Sequence, residues 1–331
     1  TGILDRVIVL ELLKQGKNVR ATKRKSSNLE EVKKSFRFYT ENSEDFFNKI
    51  EWIDVDFDDL ESVQKTLINI TEVYHCAAQV SFHPDDKLQM YHSNIVGTRN
   101  LLYASENSTV QKFCFVSSIA VLDEVNEFGE ITEDSEFNPK IRHSSYAKSK
   151  HFSEMEVWRA SAEGLKTIII NPGVIIGSGN WQSSSGELFS SFEKFPYAMS
   201  GSSNYVDVRD VAKIAVSLME KEIFGERFIV VSENKRFEEI ANLVREKLGK
   251  SKSKVLPKFV LNFGYILNIL LGWLIPKLKI INKANIEAVT SHSIISNQKI
   301  KDQLDYQFIK VDESVAFHLK NYISDQKKSL Q

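Results

Sequence analysis

The stretch Ser144-Ser-Tyr-Ala-Lys-Ser-Lys150 is the part of the sequence around which the chain is organised, together with the pair Ser117-Ser118 before it. Tyr146 and Lys150 are four positions apart, so a helix places both side chains on one face, one turn apart. A free tyrosine titrates near pH ~10, and a neighbouring ammonium favours the phenolate and lowers that pKa. A serine hydroxyl facing the phenol can hydrogen-bond the same substrate oxygen. The stretch therefore predicts a centre that moves a proton on or off an alcohol or carbonyl while another group moves a hydride.

The Tyr-x-x-x-Lys spacing by itself is a weak signal. The chain holds a second copy, from Tyr306 to Lys310, which shows how easily the spacing arises. For an isolated copy, a solvated helix or strand face is the commoner explanation. The interpretation of the first copy therefore depends on the residues around it.

The bulk composition excludes several classes of protein. The chain has 331 residues, enough for one large domain or two ordinary ones, and its 42% hydrophobic and 26% charged residues are typical of globular proteins. The net charge of −1 gives no electrostatic case for a nucleic-acid partner. Cys76 and Cys114 lie in apolar runs and are predicted to be buried reduced thiols, which favours a cytoplasmic location. The seven histidines show no metal-ligand spacing, so no metal site is predicted, and His75 and His92 are expected to be packing or surface residues.

The first residues predict half of a βαβ unit. Thr1-Gly2 runs into an amphipathic helix that ends at Gly16, and Lys17 to Lys23 then forms a strand. A glycine turn followed by a helix and a strand is typical of dinucleotide-binding folds, in which the pyrophosphate lies at the helix N-terminus. We expect the first strand of this unit, and a first glycine three positions before Gly2, to precede Thr1.

The loop into this helix is a candidate cofactor site. Gly2 takes the place of the middle glycine of G-x-x-G-x-x-G, and Ile3 and Leu4 follow it towards the cofactor. The third glycine position holds Asp5, and a carboxylate near a pyrophosphate is electrostatically unfavourable. An ordinary N-terminal loop is the alternative interpretation of this stretch.

The end of the strand after this helix decides the predicted cofactor. Folds that prefer NAD place an acid there, about 20 residues past the glycines, to hold the ribose hydroxyls. In this chain the place is basic, with Arg20 followed by Lys23-Arg24-Lys25. A basic end suits a 2′-phosphate, so we predict NADP, with NAD as the alternative cofactor and a solvated basic turn as the structural alternative.

Strands and helices alternate along the chain. This alternation predicts an α/β fold, a Rossmann-type doubly wound parallel sheet with helices on both faces. Ligands bind at the carboxyl ends of the strands in such sheets, so small or reactive residues there are candidates for one site. Three predicted strands, over 71–78, 110–118 and 166–173, end in such residues: Ala77-Ala78, Ser117-Ser118 and Asn171-Pro172-Gly173.

Eight short motifs occur in an order that is more specific than any of them singly. They are Thr1-Gly2, Asp56, His75-x-Ala77-Ala78, Asn94-x-x-Gly97-Thr98-x-Asn100, Val116-Ser117-Ser118, Tyr146-x-x-x-Lys150, Asn171-Pro172-Gly173-Val174 and Asn204-Tyr-Val-Asp-Val-Arg-Asp210. In this order they resemble the extended short-chain dehydrogenase/reductase superfamily, the NAD-dependent epimerase/dehydratase group. The strand from Val19 to Thr22, Arg24 and Asn171-Pro172-Gly173 look most like the dihydroflavonol reductase and 3β-hydroxysteroid dehydrogenase branches.

The resemblance implies a role for each matching residue. Tyr146 is the implied acid/base, Lys150 its pKa-lowering partner and a ribose ligand, and Ser118 the hydroxyl that holds the substrate oxygen. Ser117 is the second choice for that serine. The implied cofactor contacts are Asp56 and Phe57 at the adenine, Ala77 and Ala78 along the pyrophosphate and ribose, and Pro172, Gly173 and Val174 at the nicotinamide.

The C-terminal part of the chain is predicted to bind the substrate. We expect a Rossmann domain over 1–177, a substrate loop over 178–205, a helix over 206–222 that returns to the Rossmann domain, and a smaller substrate domain over 223–331. Trp181 and the run from Phe189 to Tyr197 are predicted to supply aromatic surface to the substrate.

The run from Phe259 to Pro276 has 18 residues without a charge, and Lys258, Lys277 and Lys279 flank it. This length meets the lower limit for a membrane span, but polar residues and glycines interrupt the run. An apolar helix over the substrate pocket is the favoured interpretation, and a peripheral membrane contact is the intermediate one.

These observations favour an enzyme, an NAD(P)-dependent oxidoreductase that acts on a hydrophobic secondary alcohol, ketone or aldehyde. An NAD-dependent nucleotide-sugar epimerase or dehydratase is the alternative. A cofactor-binding regulator without catalysis is a third, favoured by Asp5 and by Leu122, where the family has a tyrosine after Val121. The expected partner is a small molecule, and the superfamily's pairing through the tyrosine-bearing helix makes a homodimer an expectation.

Overall fold

The computed structural model describes residues 1–181 and 186–329. The helices are α1 (Ile3–Lys14), α2 (Leu29–Phe36), α3 (Ser43–Asn48), α4 (Leu60–Thr66), α5 (Lys87–Tyr91), α6 (Gly97–Glu106), α7 (Ser145–Ala162), α8 (Glu187–Lys194), α9 (Val208–Glu220), α10 (Phe237–Lys247), α11 (Lys258–Leu271), α12 (Lys283–Thr290), α13 (Gln298–Leu304) and α14 (Val311–Ser329). The strands are β1 (Arg20–Lys23), β2 (Glu51–Asp54), β3 (Glu72–His75), β4 (Lys112–Val116), β5 (Glu130–Ile131), β6 (Lys166–Pro172), β7 (Val174–Ile176), β8 (Tyr197–Ala198), β9 (Ser202–Asp207), β10 (Glu226–Val230), β11 (Glu233–Arg236), β12 (Lys254–Val255) and β13 (Ile294–Ile295).

Four parallel strands form the central sheet, in the order β10-β6-β4-β3. β1 and β2 form a separate parallel pair within the described residues. Because all strands of the central sheet run the same way, the carboxyl ends of β3, β4 and β6 meet at one edge. Ligands bind at this edge in sheets of this kind.

Helices cover both faces of the central sheet. Successive side chains of a strand point to opposite faces, and β4 shows the consequence. Cys114 and Val116 are buried in a cluster with α1 and α9, whereas Phe113 and Phe115 are buried in a cluster with α6 and α7. Both faces of the strands are therefore apolar, as in other sheets covered on two sides. The prediction of a Rossmann-type doubly wound α/β fold is confirmed.

The C-terminal part of the chain forms a second apolar core around α8, α10 and α14. Phe189 is fully buried in it, and Trp181 packs edge-on against Phe189 and Tyr322, with ring centroids 6.1 Å and 5.3 Å apart. The prediction that Phe189 presents aromatic surface to a substrate is wrong, because its ring fills this core. Trp181 is only partly buried against the core, and Phe195 and Tyr197 are exposed, so for these residues the substrate contact stays a prediction. Residues 182–185, also part of the predicted substrate loop, lie outside the described residues.

A buried polar cluster fixes α14 to the end of β9. The Ser314 hydroxyl donates a hydrogen bond to Asp207 Oδ2 (2.7 Å), and His318 Nε2 lies 3.2 Å from the same oxygen. Ser178 Oγ lies 2.7 Å from His318 Nδ1. All four side chains are buried, so this Ser-His-Asp contact is shielded from solvent and serves the packing of α14.

The second Tyr-x-x-x-Lys copy lies between α13 and α14, outside any helix. The Tyr306 hydroxyl donates a hydrogen bond to Asp210 Oδ1 (2.9 Å). The two residues of this copy therefore do not share a helix face, and its tyrosine has a structural partner.

The uncharged run that begins at Phe259 lies mostly on α11, which has 14 residues. Within residues 1–181 and 186–329, no helix has both the length and the apolar character needed to cross a membrane.

Candidate active site

α7 brings the tyrosine and lysine of the motif to the carboxyl edge of the sheet. The Ser144 hydroxyl caps the helix by accepting a hydrogen bond from the Ala147 amide (3.1 Å), so the helix begins one residue before Tyr146. The hydroxyl of Ser118, which follows the end of β4, lies close enough to the phenol of Tyr146 to act on its pKa. The structure thus brings together the serine and the tyrosine singled out in the sequence.

The electrostatics of Tyr146 differ from the prediction. Burial raises the pKa of the Tyr146 phenol, and the Ser118 hydroxyl opposes that shift. The sequence predicts that Lys150 lowers this pKa; the lysine ammonium, bound to the backbone of β4, does not offset the effect of burial. At neutral pH Tyr146 is therefore a protonated phenol, the form that gives a proton to an oxygen.

Lys150 is fully buried one turn further along α7. Its Nζ donates a hydrogen bond to the Val116 carbonyl oxygen (2.6 Å) and lies 4.3 Å from the centre of the Phe115 ring. Burial lowers the pKa of Lys150 to about 8, and the Glu154 carboxylate opposes that shift. A lysine ammonium has three N–H donors, and within the described part of the chain one of them has a hydrogen-bond acceptor. The other two have no acceptor among the described residues.

A buried carboxylate, Glu154, supports this arrangement one further turn along α7. It accepts a hydrogen bond from the Asn171 amide (2.6 Å), near the end of β6. The same amide donates to the Ser118 carbonyl oxygen (3.0 Å), which ties the ends of β4 and β6 together. Sequence analysis missed Glu154, and its i, i+4 spacing from Lys150 is the signal that points to it.

Asn94 fixes the loop after β3. It lies in a π-helical turn, His92–Val96, between α5 and α6. Its Oδ1 accepts a hydrogen bond from the Gln79 amide (2.7 Å), and its Nδ2 donates to the Gln79 carbonyl oxygen and to the Ser149 hydroxyl (both 2.9 Å). The side chain thus links the edge of β3 to α7. The sequence places Asn94 in a motif but assigns it no role, because the π-helical turn that orients its side chain is visible only in the structure.

The other residues of that motif position the segment after β2. The Asn100 amide donates to the Phe57 carbonyl oxygen (2.7 Å), and a Cβ on Gly97 would lie 3.4 Å from the Phe57 side chain. Thr98 Oγ1 lies 2.9 Å from His75 Nε2. Burial lowers the pKa of His75 to about 3, so this histidine is a neutral packing residue at neutral pH.

The residues expected along the ribose and nicotinamide lie at the same edge as Tyr146. They follow or end β3 and β6 and comprise Ala77, Ala78, Pro172, Gly173 and Val174. The two alanines are exposed. A Cβ on Gly173 would lie 2.2 Å from the Asn204 carbonyl oxygen of β9, so glycine is required for this close approach. Their contact with a cofactor stays a prediction.

The N-terminus of α1 is partly occupied by the protein itself. Gly2 is the exposed N-cap, and Ile3 and Leu4 are the first helical residues. The Gly2 amide donates a hydrogen bond to Asp5 Oδ2 (2.8 Å). Asp5 thus satisfies one of the amides that helix N-termini offer to anions.

Arg6 lies next to Asp5 and is buried. Its Nε donates to the Thr1 carbonyl oxygen (2.9 Å), and its Nη2 pairs with Glu31 (2.9 Å). Its third nitrogen, Nη1, has no hydrogen-bond partner within residues 1–181 and 186–329. A buried N–H donor without an acceptor is suited to bind an anionic group, whereas the negative charge of Asp5 is not.

The two arginines expected at the ribose lie at opposite ends of β1. Arg24 follows the carboxyl end of the strand and is exposed. Arg20 begins the strand, and its guanidinium donates to the carbonyl oxygens of Thr66 (3.0 Å) and Ile68 (2.7 Å) and pairs with Glu51 (3.0 Å). Arg20 therefore fastens the end of α4 to the sheet, and we remove it from the candidate cofactor site.

Asp56 and Phe57 follow β2, next to the segment that carries Arg24. Asp56 is exposed, and its Oδ1 accepts a hydrogen bond from the Asp58 amide (3.0 Å) within a turn. Phe57 is half-buried against His75, with ring centroids 5.9 Å apart. Both residues lie at the carboxyl end of their strand, and their contact with an adenine stays a prediction.

Known proteins with similar sequences are reductases and related enzymes. The sterol demethylase protein B of Methylococcus capsulatus is 26% identical over 258 residues, which are 77% of this chain and 74% of that protein. A putative dihydroflavonol 4-reductase of Synechocystis is 28% identical over 216 residues, 64% of this chain and 59% of that protein. The predicted resemblance to the dihydroflavonol reductase branch is confirmed.

Solved structures share the fold. The UDP-glucose 4-epimerase of Thermus thermophilus, solved in complex with NAD, superposes with a TM-score of 0.74 at 21% identity, over 97% of this chain and 96% of that one. At this identity the superposition shows the fold alone. The model of the NAD dependent epimerase/dehydratase family matches residues 1–231, the part that holds the sheet, Ser118, Tyr146 and Lys150. The chain belongs to this family.

Proposed function

We propose that this protein is an NAD(P)-dependent oxidoreductase that interconverts an alcohol and a ketone or aldehyde, with Tyr146 as its acid/base group. The observation that carries the proposal is the placement of Tyr146 beside Ser118 at the carboxyl edge, with buried Lys150 one turn along the same helix. The family and its reductase members support an oxidoreductase.

Tyr146 and Ser118 bring two hydroxyl groups next to each other at the carboxyl edge. A substrate carbonyl oxygen placed there accepts a hydrogen bond from each. Because burial raises the pKa of Tyr146, the phenol is protonated at neutral pH and gives its proton to that oxygen as the carbonyl is reduced. In the reverse direction the phenolate takes the proton of the alcohol, while Ser118 stays neutral and positions the oxygen.

Lys150 supplies charge and hydrogen-bond donors. Its ammonium, one helical turn from the phenol, stabilises the phenolate that forms when Tyr146 has given up its proton. Its two N–H groups without an acceptor suit the hydroxyls of a ribose. The bond to the Val116 carbonyl oxygen and the nearby Glu154 carboxylate hold the ammonium in place.

Most features of the carboxyl edge fit a dinucleotide. Arg6 Nη1 and the exposed Ala77 and Ala78 suit a pyrophosphate and the groups on either side of it. Asp5 opposes such binding, since its carboxylate accepts a hydrogen bond from the Gly2 amide. When bound there, the nicotinamide would supply or accept the hydride at the carbonyl carbon.

NADP is the proposed cofactor. The proposal depends on Arg24, whose exposed side chain follows the carboxyl end of β1. Lys23 is less available because it pairs with Asp54 of β2. A guanidinium at the end of this strand suits a 2′-phosphate, whereas an acid there would suit the two free hydroxyls of NAD.

The proposed substrate is hydrophobic. The half-exposed ring of Phe82 lies 6.3 Å from the Tyr146 ring, so the approach to the phenol is lined by an aromatic side chain. Two similar proteins support a hydrophobic substrate, since one is described as a putative dihydroflavonol 4-reductase and the other as a sterol demethylase protein.

The test is consumption of NADPH by the purified protein with a panel of hydrophobic ketones and aldehydes. Tyr146→Phe is expected to lower turnover on the order of 10²- to 10⁴-fold. Cofactor binding, followed by NADPH fluorescence, should be nearly unchanged in that variant. Wild-type turnover in Tyr146→Phe would overturn the proposal. Tightly held NAD that co-purifies with the protein, without net cofactor consumption, would assign an epimerase or dehydratase instead.

A further inference from the structure

α11 and the turn after it expose a continuous apolar surface, which we call the apolar ridge. No residue of α11 is buried, and Trp273 and Phe259 keep 79% and 71% of their surface exposed. The exposed members of the ridge are Phe259, Val260, Phe263, Ile266, Ile269, Leu270, Leu271, Trp273, Leu274 and Ile275. A contiguous apolar surface of this kind marks an interaction site.

The opposite side of α11 packs on the protein, which fixes the ridge outward. A Cβ on Gly264 would lie 3.2 Å from the Ile281 side chain, so the helix lies close against that residue. The Asn268 amide donates a hydrogen bond to the Ile281 carbonyl oxygen (3.2 Å). The ridge is therefore a formed surface of the folded protein.

The segment of chain that holds the ridge carries charge of one sign. From Lys247 to Ile286 the chain carries eight lysines and no aspartate or glutamate. Four of these lysines flank the ridge and are exposed: Lys254, Lys258, Lys277 and Lys283. An apolar surface with tryptophan and phenylalanine, bordered by lysines, is complementary to the acyl boundary and anionic headgroups of a bilayer.

The length of α11 decides how such a surface meets a bilayer. Fourteen residues of α-helix are about 21 Å long, and the hydrocarbon core of a bilayer is about 30 Å thick. The helix is too short to span it. A helix with one packed and one apolar exposed side instead lies in the plane of the interface.

The segment after the ridge is joined to the catalytic tyrosine through the loop that carries Phe82. The Phe82 ring lies 6.3 Å from the Tyr146 ring, and the Asn285 amide donates to the Phe82 carbonyl oxygen (3.0 Å). His83 Nε2 lies 3.0 Å from the Pro276 carbonyl oxygen. Two consecutive residues therefore connect the approach to Tyr146 with both ends of the segment from Pro276 to Asn285.

Lys279 strengthens this connection. Its ammonium lies 2.8 Å from the carboxylate of Asp85, in the same loop as Phe82. The Phe82 loop is therefore fastened at three points to the segment that follows the ridge.

We propose that the apolar ridge docks on the surface of an anionic lipid bilayer and that the substrate is an amphipathic alcohol or ketone that partitions into that bilayer. Docking places the Phe82 loop at the interface, so such a substrate reaches Tyr146 without crossing water. The substrate class rests on the proposed function, whereas the docking does not depend on it.

The test is co-sedimentation of the full chain with two kinds of vesicle, phosphatidylcholine alone and phosphatidylcholine with phosphatidylserine. We expect binding to the anionic vesicles, several-fold weaker binding to the neutral ones, and release as the salt concentration rises. The double variant Phe263→Glu, Leu270→Glu should bind at least tenfold more weakly. Ile68→Glu is the matched control, because Ile68 and Phe263 are each 59% exposed and Ile68 lies beyond α4, away from the ridge.

Circular dichroism of both variants and NADPH turnover with a water-soluble ketone complete the test. Failure of the wild type to bind anionic vesicles at low salt would overturn the docking, as would equal losses in the ridge variant and in Ile68→Glu. A dimer that forms without lipid and dissociates in the ridge variant would assign the ridge to a second copy. If turnover persists while vesicle binding fails, the docking is overturned and the proposed function is kept. If the vesicles bind while no carbonyl compound is turned over, the docking is kept and the proposed function is overturned.

Discussion

The Nζ atom of Lys150 lies 2.6 Å from the carbonyl oxygen of Val116, the last residue of β4. This contact joins the helix that carries Tyr146 to the strand that ends next to Ser118. It also holds a buried ammonium at a fixed point of the carboxyl edge. The protonation of that ammonium consequently depends on its burial and on its neighbours Glu154 and Cys76.

Reductase activity is expected to fall as the pH rises through about 8. Burial lowers the pKa of Lys150 to about 8, so its ammonium is lost above that pH, while the pKa of Tyr146 is raised and its phenol stays protonated. The neutral amine no longer stabilises the phenolate that forms during proton transfer. The measurement is kcat/KM for carbonyl reduction between about pH 6 and 10.

A stability measurement over the same range excludes unfolding as the cause. An exposed lysine titrates near ~10.4, so between about pH 8 and 10 the unfolded chain binds more protons at Lys150 than the folded chain does. The contribution of Lys150 to the free energy of unfolding therefore rises with pH in this window. A flat activity profile across pH 8 would contradict the assigned role of the ammonium.

Ser118→Ala is expected to lower turnover by roughly 10²-fold, because one of two donors to the substrate oxygen is removed. Ser117→Ala is the matched control: Ser117 is buried and lies one residue before Ser118, at the end of the same strand. Steady-state kinetics of both variants with NADPH and a hydrophobic ketone make the comparison. Equal losses would show that the pair acts through packing, and a larger loss in Ser117→Ala would transfer the role to that residue.

Asp5→Gly is expected to tighten cofactor binding by about tenfold, since it removes a carboxylate from the N-terminus of α1 and frees the Gly2 amide. The dissociation constant of NADPH, measured by fluorescence titration, provides the check. Asp5→Asn separates charge from hydrogen bonding, because the amide keeps an oxygen for the Gly2 amide without the charge. An unchanged constant in both variants would show that the anion does not bind at this helix end.

Arg24→Glu is expected to lower the preference for NADPH over NADH by at least about tenfold, because a carboxylate repels a 2′-phosphate and accepts bonds from ribose hydroxyls. Arg20→Met is the control at the other end of β1. It should leave the preference unchanged and lower the free energy of unfolding by about 1–3 kcal/mol, because bonds to two carbonyl oxygens are lost. The ratio of kcat/KM for the two cofactors and a urea titration are the measurements. A shift of preference in Arg20→Met alone would reverse the assignment.

Much of the fold and part of the site could be predicted from the sequence. The alternation of apolar strands and amphipathic helices indicates the doubly wound sheet, because burial on both faces leaves a local pattern. The spacing of Tyr146 and Lys150 indicates one helix face, and the serines after an apolar run indicate the edge to which they belong. The sequence predicts a lowered pKa for Tyr146, whereas burial raises it in the structure, because this pKa depends on burial and on where the Lys150 ammonium lies.

The sequence by itself determined which elements form and which residues follow each strand, since both depend on patterns within a few positions of the chain. Only the tertiary structure decided which of two arginines is held by backbone carbonyls, that Phe189 fills a core, and that α11 keeps its apolar side exposed. Those outcomes depend on which other segments lie next to each side chain in the folded protein. Such contacts join segments that are far apart in the chain, so they cannot be predicted from the pattern of nearby residues.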